Sequence, residues 1–264
     1  MLFLKKGKAM ENNFAKSIVP CLDIKDGKVC KGINFEGIRE VGSILDLAKK
    51  YEEDGADEIV LLDITATTEN RKTFLDVLQA VRKEISIPIA IGGGVKTLDD
   101  LDRLFGNGAT KLSINSAAVK NPSLLEEASK KFGSEKIICA IDAVRCLDGG
   151  FRVVINGGKL DSGLELGAWA REIRERGAGE ILLTSKSADG SKSGYDLEMT
   201  QLVCEESSLS VTASGGCGKL ADFLELFQKT KAQKALAASV FHFNELTVSE
   251  VKKYLSENGV RVRL

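Results

Sequence analysis

The chain has 264 residues, 43% of them hydrophobic and 28% charged, with 37 Lys and Arg against 38 Asp and Glu. This ordinary globular composition excludes a disordered chain, a collagen and a coiled coil. The near-neutral total gives no general attraction to nucleic acid or an anionic membrane, whereas a small anionic ligand needs only a local basic site. The six cysteines (Cys21, Cys30, Cys139, Cys146, Cys204 and Cys217) are scattered, form no CxxC and have one His for company. That is no zinc pattern, so free thiols in a reducing cytoplasm are expected, with no metal. No run of 18 apolar residues offers a membrane span. The opening MLFLKKGKAMENNFAKS has too short an apolar stretch for a secretory signal. Met10 is a candidate start codon; residues 1–13 are expected to form a disordered extension, and 14–264 one domain.

Short apolar runs recur at 17–23, 58–64, 87–93, 110–115, 136–142, 180–185, 209–214 and 234–239. They are apolar nearly throughout, without strict alternation, as strands buried on both faces of a parallel sheet are. Helical patterns fall between and after them at 43–54, 71–84, 98–105, 122–132, 164–176, 196–206, 220–229 and 248–258. Asn121-Pro122 reads as an N-cap followed by Pro at the first helical position, and Gly133 and Gly259 as C-terminal stops. Eight β-then-α units in about 250 residues fit a (β/α)8 barrel, although an open doubly wound sheet gives a similar pattern.

An internal repeat decides between them. At a shift of about 120 residues, CLD at 21–23 answers AID at 140–142, and ADEIVLLDITAT at 56–67 answers AGEILLTSKSAD at 178–189. IGGGVKTLDDL at 91–101 likewise answers ASGGCGKLADF at 213–223, and KLSINSAAV at 111–119 answers KALAASVFH at 234–242. Four βα units repeated once close into a cylinder, a TIM barrel of two half-barrels with no linker between them.

Active sites of such barrels lie at the C-terminal ends of the strands. There the first and fifth runs end in Asp23 and Asp142, a carboxylate pair that can divide general acid and base work if its environments differ. The third and seventh runs end in glycines, Gly93 and Gly94 in one half and Gly215 and Gly216, after Ser214, in the other. The fourth and eighth end in Asn115-Ser116 and Ala238-Ser239. Glycine lets backbone N–H groups approach an anion, and a helix start after the strand adds its dipole. The doubled set implies a ligand with a phosphate at each end. The segment 25–40, with Lys31, is too long for an ordinary βα loop and suggests a mobile lid; Asp189-Gly190 lies in the matching loop of the second half. His242 and Trp169 are expected to pack, and Cys21 and Cys139 to be equivalent small core residues. At the opposite end, Glu58, Lys111, Glu180 and Lys234 each open an even-numbered strand. Inward side chains of alternate barrel strands form layers of four, so these residues are expected to make one charge-balanced ring.

The stretches PCLDIKDGKVCKGINF, LLDITAT, IGGGV, LSINSAAV, AIDA, DGSKSGYD, ASGG and AASVFHF together resemble the cyclase subunit of imidazole glycerol phosphate synthase, an enzyme of histidine biosynthesis. The resemblance runs from about Lys16 to Leu264 and implies a cytoplasmic lyase of the glutamine amidotransferase type, with no cofactor. Such an enzyme uses ammonia to turn a bis-phosphate ribulosyl aminoimidazole-carboxamide ribotide into imidazole glycerol phosphate and aminoimidazole-carboxamide ribotide. It implies Asp23 and Asp142 as the catalytic pair, and Lys31, Gly93, Gly94, Asn115, Ser116, Asp189, Gly190, Ser214, Gly215, Gly216, Ala238 and Ser239 as substrate contacts. Ammonia comes from a separate glutaminase subunit, a heterodimer partner at the N-terminal barrel face, through a salt-bridged gate with an Arg on the first strand. This chain has Ser17 there and carries Lys234 where the family usually has a small residue, so Lys234 is expected to supply the missing charge. Lys186-Ser187-Ala188 also departs from the usual acidic and basic pair after the sixth strand. The alternatives are the sibling phosphoribosyl isomerase, an ammonia-channelling relative serving another amidation, and a catalytically silent glutaminase-binding scaffold.

Overall fold

Alternate residues of one short strand face two different hydrophobic layers. In the computed structural model, which describes residues 15–25, 28–33, 36–64 and 71–264, Val19 and Cys21 pack inward with Val60, Ala90, Ile138, Leu182 and Leu236. Their chain neighbours Ile18, Leu22, Ile59, Leu61 and Ile181 instead join a larger layer shared with the helices. Burial on both faces accounts for strands that read as continuous apolar runs. The expected extension over 1–13 lies outside the described residues.

Among the described residues, eight parallel strands close on themselves: β1 (Ser17–Lys25), β4 (Ile59–Asp63), β5 (Ile89–Gly92), β6 (Lys111–Ile114), β7 (Ile137–Arg145), β10 (Glu180–Ser185), β11 (Ser210–Ser214) and β12 (Lys234–Ala237). The halves are joined by β7 against β10, with Asp142 opposite Thr184, and by β12 against β1, with Lys234 opposite Ser17. This is a (β/α)8 TIM barrel. Helices α1 (Ile44–Glu53), α2 (Arg71–Glu84), α3 (Leu98–Gly106), α5 (Ser123–Phe132), α6 (Leu166–Glu175), α7 (Leu197–Ser207), α8 (Leu220–Lys229) and α10 (Val248–Glu257) surround it. Two short helices, α4 (Ser116–Lys120) and α9 (Ser239–His242), follow β6 and β12. Pro122 occupies the N-cap of α5 rather than its first turn, one residue from expectation. Trp169 is buried in α6 against the helix-facing layer.

The repeat extends to the devices that hold the glycine turns. Asp100 Oδ2 accepts the N–H groups of Lys96 and Thr97, and Asp222 Oδ2 those of Gly218 and Lys219. Both carboxylates sit in the first turn of a helix and are buried, so each ties its turn to the following helix.

Two findings depart from the sequence reading. Lys28–Ile33 (β2) and Glu36–Gly42 (β3) form an antiparallel hairpin on the end of β1, not an irregular loop. Phe151–Ile155 (β8) and Leu160–Glu165 (β9) form its counterpart on the end of β7. Cys21 and Cys139, in turn, are not equivalent. Cys21 lies inside the barrel, where its counterpart is Ala140, while Cys139 faces the helices. A one-residue offset moves a strand side chain to the opposite face.

Candidate active site

Residues at the C-terminal ends of the strands surround a cavity of about 780 Å³, its open mouth included. Asp23, Asp142, Asp189, Gly190, Ser214, Gly215, Gly216, Ala238 and Ser239 all line it. The two carboxylates thus come from opposite halves and face one space. Asp23 is buried, with the Cys21 thiol 3.9 Å from its Oδ1. Asp142 accepts a hydrogen bond from Asn115 Nδ2 at 3.1 Å. Burial raises the pKa of Asp142, and the nearby Asp189 pushes the same way, against the Asn115 hydrogen bond and the Lys186 ammonium. A carboxyl so placed holds a proton more readily than a free aspartate.

Close backbone approach makes two of the glycines obligatory. Gly93, at φ 95°, lies so near Asp63 that a methyl group there would collide with the Asp63 carbonyl oxygen. Its repeat counterpart Gly215, at φ 91°, would bring such a methyl to 2.7 Å from the Ser185 carbonyl oxygen. Real Cβ atoms do not tolerate that, nor do they favour positive φ. Gly94 continues the first turn, also with positive φ. Ser116 and Ser239 open α4 and α9, so each half pairs a glycine turn with a serine at a helix start. Lys31 belongs to β2, with its side chain outside the described residues.

At the other end of the barrel the four strand-opening charges meet. Lys111 Nζ lies 2.9 Å from Oε2 of both Glu58 and Glu180, and Lys234 Nζ lies 2.8 Å from the same two oxygens. Each carboxylate oxygen is shared by two ammonium groups, and the ring is neutral. Both glutamates are buried, while Lys111 and Lys234 keep 21% and 12% exposure, so the ammonium groups form the outer side. Burial alone would lower the Lys111 pKa, but Glu180 and Glu58 outweigh it and raise it. Burial likewise pushes Glu180 up, and Lys234 followed by Lys111 holds it below the usual carboxylate range. Lys234 is the register neighbour of Ser17, so the charge expected on the first strand is carried one strand away.

Three features escaped the sequence reading. Asn115, which the sequence places in an anion site, also donates its amide to Asp142. Thr212 donates its hydroxyl to Glu180 Oε1 at 2.7 Å and anchors the ring from the adjacent strand; its inward place on β11 follows from the strand period, but nothing in its identity marks it. Lys186, in sequence only a departure from the family pattern, donates its ammonium to the Gly158 carbonyl. His242 is buried behind the mouth, with Nδ1 2.6 Å from the Tyr51 hydroxyl. Among the described residues, no group of three or more His, Cys, Asp or Glu side chains could hold a metal ion.

A family model described as a histidine biosynthesis protein matches residues 17–247. Curated proteins align over nearly the full chain. Imidazole glycerol phosphate synthase subunit HisF of Natranaerobius thermophilus is 52% identical over 250 residues, 95% of this chain and 99% of that protein. The chain belongs to the HisF family. HisF of Bacillus cereus is 49% identical over 250 residues, covering 95% and 99% of the two chains. HisF of Wolinella succinogenes is 49% identical over 254 residues, covering 96% and 100%. All three carry the name imidazole glycerol phosphate synthase subunit HisF, not that of the sibling isomerase.

Proposed function

We propose that the chain is the cyclase subunit of an imidazole glycerol phosphate synthase. In this reading it joins ammonia to a bis-phosphate ribulosyl aminoimidazole-carboxamide ribotide and closes the imidazole ring. The observation that carries the reading is the pair of carboxylates facing one cavity lined by Ser214, Gly215, Gly216 and Ser239; the repeat-related Gly93, Gly94 and Ser116 stand after β5 and at the start of α4. A ligand with a phosphate at each end spans such a mouth, one end near Gly93, Gly94 and Ser116 and the other near Gly216 and Ser239. Its reacting centre then lies between Asp23 and Asp142. Asp23 acts as the principal base during ring closure. Asp142, whose pKa is raised by burial, delivers a proton during cleavage of the ribotide product. Two carboxylates in different environments are a recurrent way to divide acid and base work in one site.

Ammonia is supplied by a separate glutaminase subunit docked at the N-terminal face, and the Lys and Glu ring is its gate. Neutral pairing makes the closed ring stable without sealing the barrel covalently. The free, scattered thiols suit a cytoplasmic location. The test is ring formation from the bis-phosphate substrate with an ammonium salt as nitrogen donor. No turnover by correctly folded protein would reject the reading in favour of a silent glutaminase-binding scaffold.

A further inference from the structure

The hairpin on β7 is held at its tip from two sides. Asn156, at φ 54°, donates its N–H to Ser116 Oγ at 3.1 Å. Two residues on, the Gly158 carbonyl accepts a hydrogen bond from the Lys186 ammonium. Lys186 directly follows β10, and its own N–H is bonded to the Ala143 carbonyl on β7 at 3.0 Å, which fixes the root of its side chain. The lysine stem runs close over Gly158, where a methyl group would come 2.5 Å from Lys186 Cδ and 2.6 Å from Cε. The turn 156–159 is therefore fastened between the end of β10 and the serine that opens α4.

We propose that Lys186 is a positioning residue for the substrate site: its ammonium clamps the 156–159 turn against Ser116 and so shapes the pocket for one phosphate monoester end of the substrate. The inference rests on the proposed function only in taking the Ser116 side of the mouth as a phosphate site. The clamp stands next to the catalytic carboxylate as well. Asn115, beside Ser116, bonds Asp142, and Lys186 and Asp189 from the loop after β10 both act on its charge, Lys186 favouring the ionised form and Asp189 opposing it. Removing the ammonium therefore loosens the pocket and raises the Asp142 pKa together.

The experiment compares Lys186→Met, which keeps the stem and loses donor and charge, with Lys186→Arg, which keeps both. With ammonium as donor, the Met variant should show KM for the bis-phosphate substrate raised about tenfold, with kcat at its pH optimum within about twofold of wild type. The alkaline limb of its pH profile, set by Asp142 as proton donor, should move to higher pH. Arg should restore most of the KM. Amide hydrogen exchange over 151–165 should speed up in the Met variant and remain near wild type in the Arg variant, a readout independent of turnover. Unchanged KM and exchange in the Met variant would overturn the clamp. So would a Met defect of equal size in kcat and KM that Arg does not rescue, the mark of a packing role alone. If the wild-type protein itself fails to close the ring, the functional reading falls, while the exchange comparison still judges the clamp.

Discussion

Replacing Lys234 with Met tests the charged ring in both its energetic and its chemical roles. The substitution keeps the apolar stem and removes an ammonium that lies 2.8 Å from both Glu58 and Glu180. Taking one partner from a buried ion pair costs about 3–5 kcal/mol. Here Lys111 remains 2.9 Å from both carboxylates, so the lower end applies, about 3 kcal/mol. At 2–4 °C per kcal/mol for a chain of this size, Tm should fall by roughly 6–12 °C. The pH dependence follows from Glu180, whose folded-state pKa is held below its ordinary 4.5 by Lys234 and Lys111 against burial. A depressed carboxylate stabilises the fold fully above its unfolded-state pKa and loses that contribution as pH falls through the folded value. Without Lys234 the folded pKa of Glu180 rises. The stability gap between wild type and variant should thus be widest near pH 7 and narrow below about pH 4.5. Urea unfolding at pH 7 and pH 4 measures it. In complex with a glutaminase, glutamine-dependent turnover should drop while ammonium-dependent turnover persists. A gap of the same size at both pH values would refute the electrostatic account, and unchanged glutamine coupling would refute the gate.

Three further expectations concern the mouth. Asp23→Asn and Asp142→Asn should each lower ammonium-dependent ring closure by about 10²–10⁴-fold while substrate binding survives, since an amide keeps the shape but cannot exchange the proton; near wild-type turnover in both would end the two-carboxylate mechanism. Crystals grown in sulfate or phosphate should hold anions near Gly94 and Ser116 and near Gly216 and Ser239, largely on backbone N–H groups; occupied anions elsewhere in the mouth, with none at either place, would count against the doubled phosphate site. Gly93→Ala should cost about 2–4 kcal/mol, because the new methyl meets the Asp63 carbonyl at positive φ, and a thermal melt within a degree of wild type would contradict that steric argument.

The barrel strands were legible because burial on both faces leaves unbroken apolar runs, and the repeat supplied the register that turned runs into a cylinder. The same register brought out Glu58, Lys111, Glu180 and Lys234 as one layer, since each opens a barrel strand or, for Glu58, stands one residue before it. The two hairpins were not legible. Their strands, such as Phe151–Ile155 and Leu160–Glu165, are short, and the second is exposed along most of its length, so they carry neither a continuous apolar run nor a helical period. The missed contacts have a different origin. Asn115 and Lys186 act through distances between elements far apart in the chain, and an amide or an ammonium looks alike in sequence whether it meets a ligand, a carboxylate or a carbonyl. Cys139 shows the limit of reading a repeat by eye, since one residue of offset carries a side chain through the barrel wall.

Between the charged floor and the acidic mouth, the barrel interior is lined by Val19, Val60, Ala90, Ile138, Leu182 and Leu236. An ion crossing that band would leave its partners and its hydration for a medium that returns neither, at a cost of many times the thermal energy. A small uncharged molecule loses only a few hydrogen bonds on the same path. Were a volatile base to take this path, as the proposed gate requires, the aliphatic band would admit its neutral form and hold back its conjugate acid. The proton left at the floor would then be unavailable at the mouth, and any proton the chemistry requires would have to come from the carboxylates or from water entering from above.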